Sequence, residues 1–138
     1  MPESLNLTVV PYVSVGPVRF GMTRPEVRQL LGEPFRTYDY PDGSCLDDFC
    51  DLEVEYAPDG ACAGVFVREP HRVEVLGYAP IGRPAHEVVA WLRREDPGLE
   101  AREDGLFSPR LGIKLGPEVD PYPEAGPSDP RPPSRWGT

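Results

Sequence analysis

The sequence predicts an α+β fold, an antiparallel sheet with two short helices packed on one face, and three observations predict it. Two amphipathic stripes of helical period stand roughly sixty residues apart. Runs of β-branched and aromatic residues alternate with polar ones between and after them. The 138 residues hold 19 prolines and 14 glycines, which keeps each element short. A chain of this length can bury a core without disulfides or structural metal.

The first helix is read from GMTRPEVRQLLGEP, residues 21 to 34. Thr23 and Glu26 have the spacing of a capping box, in which each side chain satisfies a backbone donor left open at the helix start. Met22 and Val27 are placed as a hydrophobic staple. Pro25 is tolerated in a first turn, where its missing N–H has no intrahelical partner. Val27, Leu30 and Leu31 give an apolar stripe and leave Arg24, Arg28 and Gln29 facing water. Gly32 is the expected left-handed C-cap, and Pro34 prevents continuation.

Beyond that helix, RTYDY, DLEVEY, ACAGVFVRE and RVEVLGY read as strands. APDGA between the second and third is the clearest hairpin turn, centred on Asp59 and Gly60. Leu52, Val54 and Tyr56 point one way while Glu53 and Glu55 point the other, so the sheet has one solvated face. A second helix follows from about Pro84 to Glu95, with Ala85, Val88, Val89 and Leu92 on its stripe. Two short strands near LEAR and LGIKL close the fold.

The two helices look like copies. Sliding the chain by 61 residues superposes Gly16 on Gly77, Gly21 on Gly82, Glu26 on Glu87, Val27 on Val88, Leu30 on Trp91 and Leu31 on Leu92. A shift of 59 places Leu52, Val54 and Tyr56 on Leu111, Ile113 and Leu115. The expectation is a single α+β domain over residues 1–116 carrying a tandem helix-hairpin unit, with repeats at about 12–70 and 71–116. Residues 117–138, rich in proline and poor in aliphatic side chains, read as a disordered proline-rich tail.

Charge narrows the partners. Lys and Arg number 14 against 23 Asp and Glu, a formal charge of −9, which repels phosphate backbones and anionic headgroups. Nucleic acid and membrane are therefore not expected partners. The opening MPESLNLTVVPYVSVG has no positive n-region, apolar h-region or lipobox cysteine, so a cytoplasmic protein is expected. Cys45, Cys50 and Cys62 are odd in number and lack a CxxC pair, which suits a reducing compartment.

The densest polar cluster is YDYPDGSCLDDFCD, residues 38 to 51, with Asp39, Asp42, Asp47, Asp48 and Asp51 and no basic residue. It lacks the alternate ligand spacing, central glycine and distal Glu of a calcium loop. It reads either as a solvated acidic loop or as an acidic surface that meets a basic partner. A thiol nucleophile on Cys45 or Cys50 needs His71 or His86 as its base. No GxGxxG, P-loop or GxSxG motif is present, so no cofactor, no metal and no catalytic residue is assigned.

At GMTRPEVRQLLGEP the chain resembles the SmpA/OmlA assembly lipoproteins and the β-lactamase inhibitory proteins. The longer pattern through DLEVEYAPDGACAGVFV to RLGIKL also resembles uncharacterised small cytosolic bacterial proteins. The resemblance implies short helices laid across a sheet, with the unit repeated in tandem in the inhibitors. It also implies work done by presenting a sheet face or loops to another protein. A departure from these families is expected, since the sequence shows no lipobox cysteine, no signal-like opening and no paired cysteines.

The functional expectation is a non-enzymatic protein-binding module, of immunity or inhibitor type, whose acidic loop contacts a partner with a basic surface. Two alternatives stay open: a metal-assisted hydrolase or thiol enzyme built on the same loop, and a small scaffold subunit whose proline-rich tail recruits a partner.

Overall fold

In the computed structural model, which describes residues 4–103 and 105–116, the chain forms two compact units, one ending at Gly82 and the other beginning at Arg83. The α+β class holds. Among the described residues two helices accompany eleven strands, and the strands are grouped in three sheets. The proline-rich tail, residues 117–138, lies outside the described residues. No helix among those described is long and apolar enough to cross a membrane.

In the first unit, β1 (Asn6–Val10), β2 (Ser14–Val15), β3 (Val18–Arg19) and β8 (Arg72–Val75) form a sheet in the order β3-β2-β1-β8. β1 and β8 run parallel, from Asn6 opposite Arg72 to Val9 opposite Val75. No local pattern in the sequence announces such a pairing. His71 secures it: its Nδ1 accepts the Leu5 N–H at 3.0 Å, 66 positions away. The Nε2 hydrogen is then directed at the Cys50 carbonyl, 3.0 Å distant, so the fully buried ring is satisfied at both nitrogens.

Helix α1 (Arg24–Leu31) starts as its sequence dictates, with both halves of the Thr23–Glu26 capping box formed. It ends differently. Gly32 takes φ +90° with ψ −167°, which is not the left-handed helical cap expected there, and its N–H reaches the Arg28 carbonyl at 2.7 Å. Before the helix, the Gly21 N–H donates to the Cys62 carbonyl at 2.9 Å and the Cys62 N–H to the Met22 carbonyl at 2.7 Å. These bonds fix the helix start against β7 (Cys62–Val67).

β7 belongs to an antiparallel meander with β4 (Arg36–Asp39), β5 (Cys45–Asp48) and β6 (Leu52–Tyr56), in the order β4-β5-β6-β7. β5 was expected as loop. It is a strand because YPDGS makes the same tight connection as APDGA. Tyr40 and Ala57 donate their N–H groups to the carbonyls of Ser44 and Ala61, both at 2.9 Å. Asp42 and Asp59 accept from the amides of Ser44 and Ala61, both at 2.9 Å, while Gly43 and Gly60 share φ +92°. The loop therefore has three residues, Pro-Asp-Gly, rather than two centred on Asp59 and Gly60, and its glycine takes the left-handed position.

The core of this unit joins both sheets to α1 through Leu7, Val15, Val18, Val27, Leu31, Phe49, Leu52, Val54 and Tyr56. β6 alternates as its sequence predicts, with Leu52, Val54 and Tyr56 buried and Glu53 and Glu55 turned outward. Leu30, expected on the apolar stripe, is 48% exposed.

The second unit contains α2 (Ala85–Glu95) and the antiparallel strands β9 (Glu100–Arg102), β10 (Gly105–Ser108) and β11 (Ile113–Leu115), with β10 central. Val88, Val89, Trp91 and Leu92 are the buried face of α2; Ala85 is exposed. Pro84 stands at the N-cap and supplies no side-chain bond. Instead the C-cap is built: Asp96 is buried and accepts from Ser108 Oγ at 2.6 Å, the Gly98 amide at 2.8 Å and the Arg110 amide at 3.1 Å. Those donors hold the Asp96 carboxyl below the usual range, the Ser108 hydroxyl foremost.

The 61-residue offset carries through several of these features. The first helical residues, Arg24 and Ala85, correspond under it, and each helix leads into an antiparallel meander. Gly16 and Gly77 have φ +59° and +78°, and Gly21 and Gly82 have +95° and +92°. Asp47 and Ser108, each the buried polar residue of its meander's second strand, correspond as well. β8, however, lies within the second expected repeat by sequence but pairs with β1 of the first unit.

The β5–β6 turn carries strain. Phe49 and Leu52 close it through an N–H to carbonyl bond of 2.8 Å, and its two central residues, Cys50 and Asp51, have φ +72° and +62°. Left-handed backbone costs a residue with a Cβ about 1 kcal/mol or more, and such two-residue turns favour Asn-Gly. Asp51→Gly is expected to raise the urea midpoint, corresponding to a gain of about 1 kcal/mol, because the exposed Asp51–Arg68 pair it removes at 3.8 Å contributes little. An unchanged or lowered midpoint would show that the turn is not strained.

Candidate functional site

The five aspartates of residues 38–51 do not form one surface. Asp47 is completely buried. It sits on β5 opposite Val54 of β6, and residues paired across antiparallel strands share a face, so its side chain points toward the core. Both guanidinium groups of α1 close on it. Arg24 reaches Oδ1 through Nε at 3.1 Å and Nη2 at 2.9 Å; Arg28 reaches Oδ2 through Nε and Oδ1 through Nη2, both at 2.9 Å. Tyr56 donates its hydroxyl to Oδ2 at 3.2 Å, and Arg24 lies over the Tyr56 ring, 5.6 Å from its centroid.

Asp47 thus cannot contact a partner, and Arg24 and Arg28 do not simply face water. Both sequence expectations fail for one reason. Residues 24, 27, 28 and 31 share one helical face, so the arginines lie on the same stripe as Val27 and Leu31. Their spacing was the available signal, and it is masked by Leu30, which suggests a stripe rotated away from them.

Burial works to raise the Asp47 pKa, but the hydrogen bonds and charges of Arg28 and Arg24 outweigh it and hold the carboxyl below its ordinary value. The hydrogen bonds to Asp47 raise both arginines in turn. Tyr56 is raised strongly, first by burial and then by the adjacent carboxylate, so its hydroxyl stays protonated and remains a donor. The cluster is satisfied internally. It positions α1 on the meander and leaves Asp47 no oxygen for a metal.

The other four aspartates are accessible to different degrees. Asp39 ends β4 with its side chain 82% exposed, and Arg24 Nη1 approaches it only to 4.0 Å. Asp42 is exposed but occupied by the turn, accepting the Ser44 amide and, at 2.5 Å, its hydroxyl. Asp48 is half-buried and accepts the Cys50 amide at 2.8 Å. Asp51 is exposed in the strained turn beside Arg68.

What the sequence cluster did not include is the rest of the outward sheet face. By register, Arg36, Asp48, Glu53 and Phe66 form one cross-strand row, and Tyr38, Leu46, Glu55 and Gly64 form the next. Asp48, Glu53 and Glu55 thus make a central carboxylate strip, with Tyr38 and Phe66, each 38% exposed, on the flanking strands. Arg68 meets Glu53 at 3.3 Å, and Arg36 donates to the Tyr38 hydroxyl at 3.1 Å. Asp39, Asp42 and Asp51 lie at the ends of these strands.

Neither enzymatic alternative gains a constellation. Among the described residues no three His, Cys, Asp or Glu side chains come together as metal ligands. Cys45 is half-buried, Cys50 exposed and Cys62 buried, and all three are free thiols. His71 meets Cys50 through the backbone carbonyl, not the sulfur, and its other nitrogen is taken by Leu5. His86 is exposed on α2 of the other unit.

The Asp47 linkage gives a pH dependence whose sign is fixed. A carboxyl whose pKa is lower folded than unfolded contributes stability that is present above about pH 4 and lost as pH falls through the folded value. Asp47→Asn is expected to cost about 3 kcal/mol at neutral pH and to flatten the loss of stability below about pH 4, measured by urea unfolding across pH. The same acid slope in both proteins would exclude Asp47 as its source. No family profile, curated protein or solved structure matches this chain, so its site is defined by its own geometry.

Proposed function

We propose that the chain is a non-enzymatic protein-binding module, of inhibitor or immunity type, that receives a basic protein on the outward face of the β4–β7 meander. The observation that carries this reading is the half-exposed Asp48, Glu53 and Glu55 strip, flanked by the more exposed Tyr38 and Phe66, on the face of the meander opposite Asp47. Carboxylates steer a cationic partner and set its register, while exposed aromatic rings supply contact area at little entropic cost. The chain's formal charge of −9 acts in the same direction. Asp39, Asp42 and Asp51 extend the negative rim, whereas Asp47 serves the fold and not the contact. A cytoplasmic setting suits the three free thiols.

The test uses a partner captured with the wild-type chain from its own cells. Asp48→Lys combined with Glu53→Lys is expected to weaken that complex by roughly tenfold or more and to remove most of its salt dependence. Far-ultraviolet circular dichroism would check that the fold is retained. Unchanged affinity in a folded double variant would refute the face as the contact.

A further inference from the structure

We propose that the open edge of β4 is a second recognition element, at which a basic, extended segment of the partner adds as a further strand. This rests on the acidic-face reading for the sign of the partner's charge, but its chemistry is that of the backbone.

Among the described residues β4 is hydrogen-bonded on one side only, to β5. The Tyr40 N–H bond to Ser44 fixes the alternation along the strand: Arg36, Tyr38 and Tyr40 turn their backbone groups to β5, and Thr37 and Asp39 turn theirs away. A second bond confirms the phase. Phe49 donates to the Leu52 carbonyl, which directs Cys45, Asp47 and Phe49 toward β6 and leaves Leu46 and Asp48 to serve β4.

Every sheet has edges, so an open edge alone carries nothing. What sets this one apart is its side chains. All four β4 residues are exposed, and three aromatic rings stand along the same stretch: Phe35 at 67%, Tyr38 at 38% and Tyr40 at 43%. The fully exposed edge strand β9 offers no such rings; its Glu100 and Arg102 neutralise one another at 2.7 Å. Natural edges are blunted by charge, proline or covering; β4 carries Arg36 and Asp39 near its ends and lies between Pro34 and Pro41, which confine pairing to residues 35–40 but leave its centre uncovered.

An added strand would place one set of alternating side chains against Tyr38 on the outward face and the other beside Asp39. The occupant is therefore an extended peptide with lysine or arginine on the Asp39 side and apolar residues toward Tyr38. The negative charge of the chain argues against a second copy of itself in this role.

The probe is a synthetic octapeptide alternating lysine and valine, titrated into the full chain and followed by backbone amide resonances and calorimetry. The amides of Thr37 and Asp39 should shift and gain protection. Thr37→Pro removes an outward donor without touching the β4–β5 bonds, and is expected to weaken binding about tenfold. An octapeptide of the same sequence and charge whose backbone amides are N-methylated, so that it offers β4 no donors, should bind the wild-type chain more weakly by a similar factor and serves if the variant fails to fold. Equal binding of the two peptides, or unmoved Thr37 and Asp39 amides, overturns the edge proposal. If Glu53→Gln with Glu55→Gln then abolishes binding while Thr37→Pro does not, the face reading stands and the edge reading is refuted. The converse result refutes the face for this probe and retains the edge.

Discussion

The buried carboxylate of Asp47 is the constraint from which the first unit's arrangement follows. An unpaired buried carboxylate costs several kcal/mol, and removing one partner of a buried pair typically costs about 3–5 kcal/mol. Full burial of one leucine side chain is worth about 1.5–3 kcal/mol. The helix therefore settles at the rotation that brings Arg24 and Arg28 to Asp47, and it leaves Leu30 about half exposed. Val27 and Leu31 remain in the core at that rotation, so the apolar stripe is narrowed and not lost. Arg24 in the first turn opposes the helix dipole, a modest penalty that its two bonds to Asp47 offset.

The second unit solves the same problem at the other end of its helix. Its buried carboxylate, Asp96, belongs to the helix C-cap, and the meander supplies the donors through Ser108 and the Arg110 amide. In the first unit the strand supplies the acid and the helix supplies the bases. Both arrangements join a helix terminus to the second strand of the meander that follows it, at positions related by the same offset as the helix starts. The two links differ in which element supplies the charge, since a polar link can be built from either side once the backbone course is set.

Much of this was legible in the sequence, and what was missed shares a cause. The capping box, the β6 alternation and the second helix are local patterns, and each forms at the expected residues. β5 escaped because CLDD breaks the alternation rule: the neighbouring Leu46 and Asp47 are both buried, on opposite faces, and one of them is a carboxylate. Its entry turn was visible, since Pro-Asp-Gly occurs twice, but the acidic residues around Asp42 read as a loop and hid the repeat. The parallel pairing of β1 with β8 depends on contacts across most of the first unit and has no local signature. The outward carboxylate strip was half legible: Glu53 and Glu55 were placed on the solvated face, but without β5 beside them their kinship with Asp48 could not be seen.

The position of that strip is itself a consequence of Asp47. Side chains along a strand alternate between faces, so a slip of one residue in β5 would turn Asp47 to solvent and direct Asp48 inward. Asp48 would then lose its bond to the Cys50 amide, and Arg24 and Arg28 would lose the acceptor placed for them. The ion cluster therefore selects one register among those that hydrophobicity alone would allow, which is the best attested use of a buried charge. With the register chosen, Asp48 must stand beside Glu53, and Glu55 beside Leu46, on the outer face. The acidic surface is thus written by the same residue that cannot take part in it.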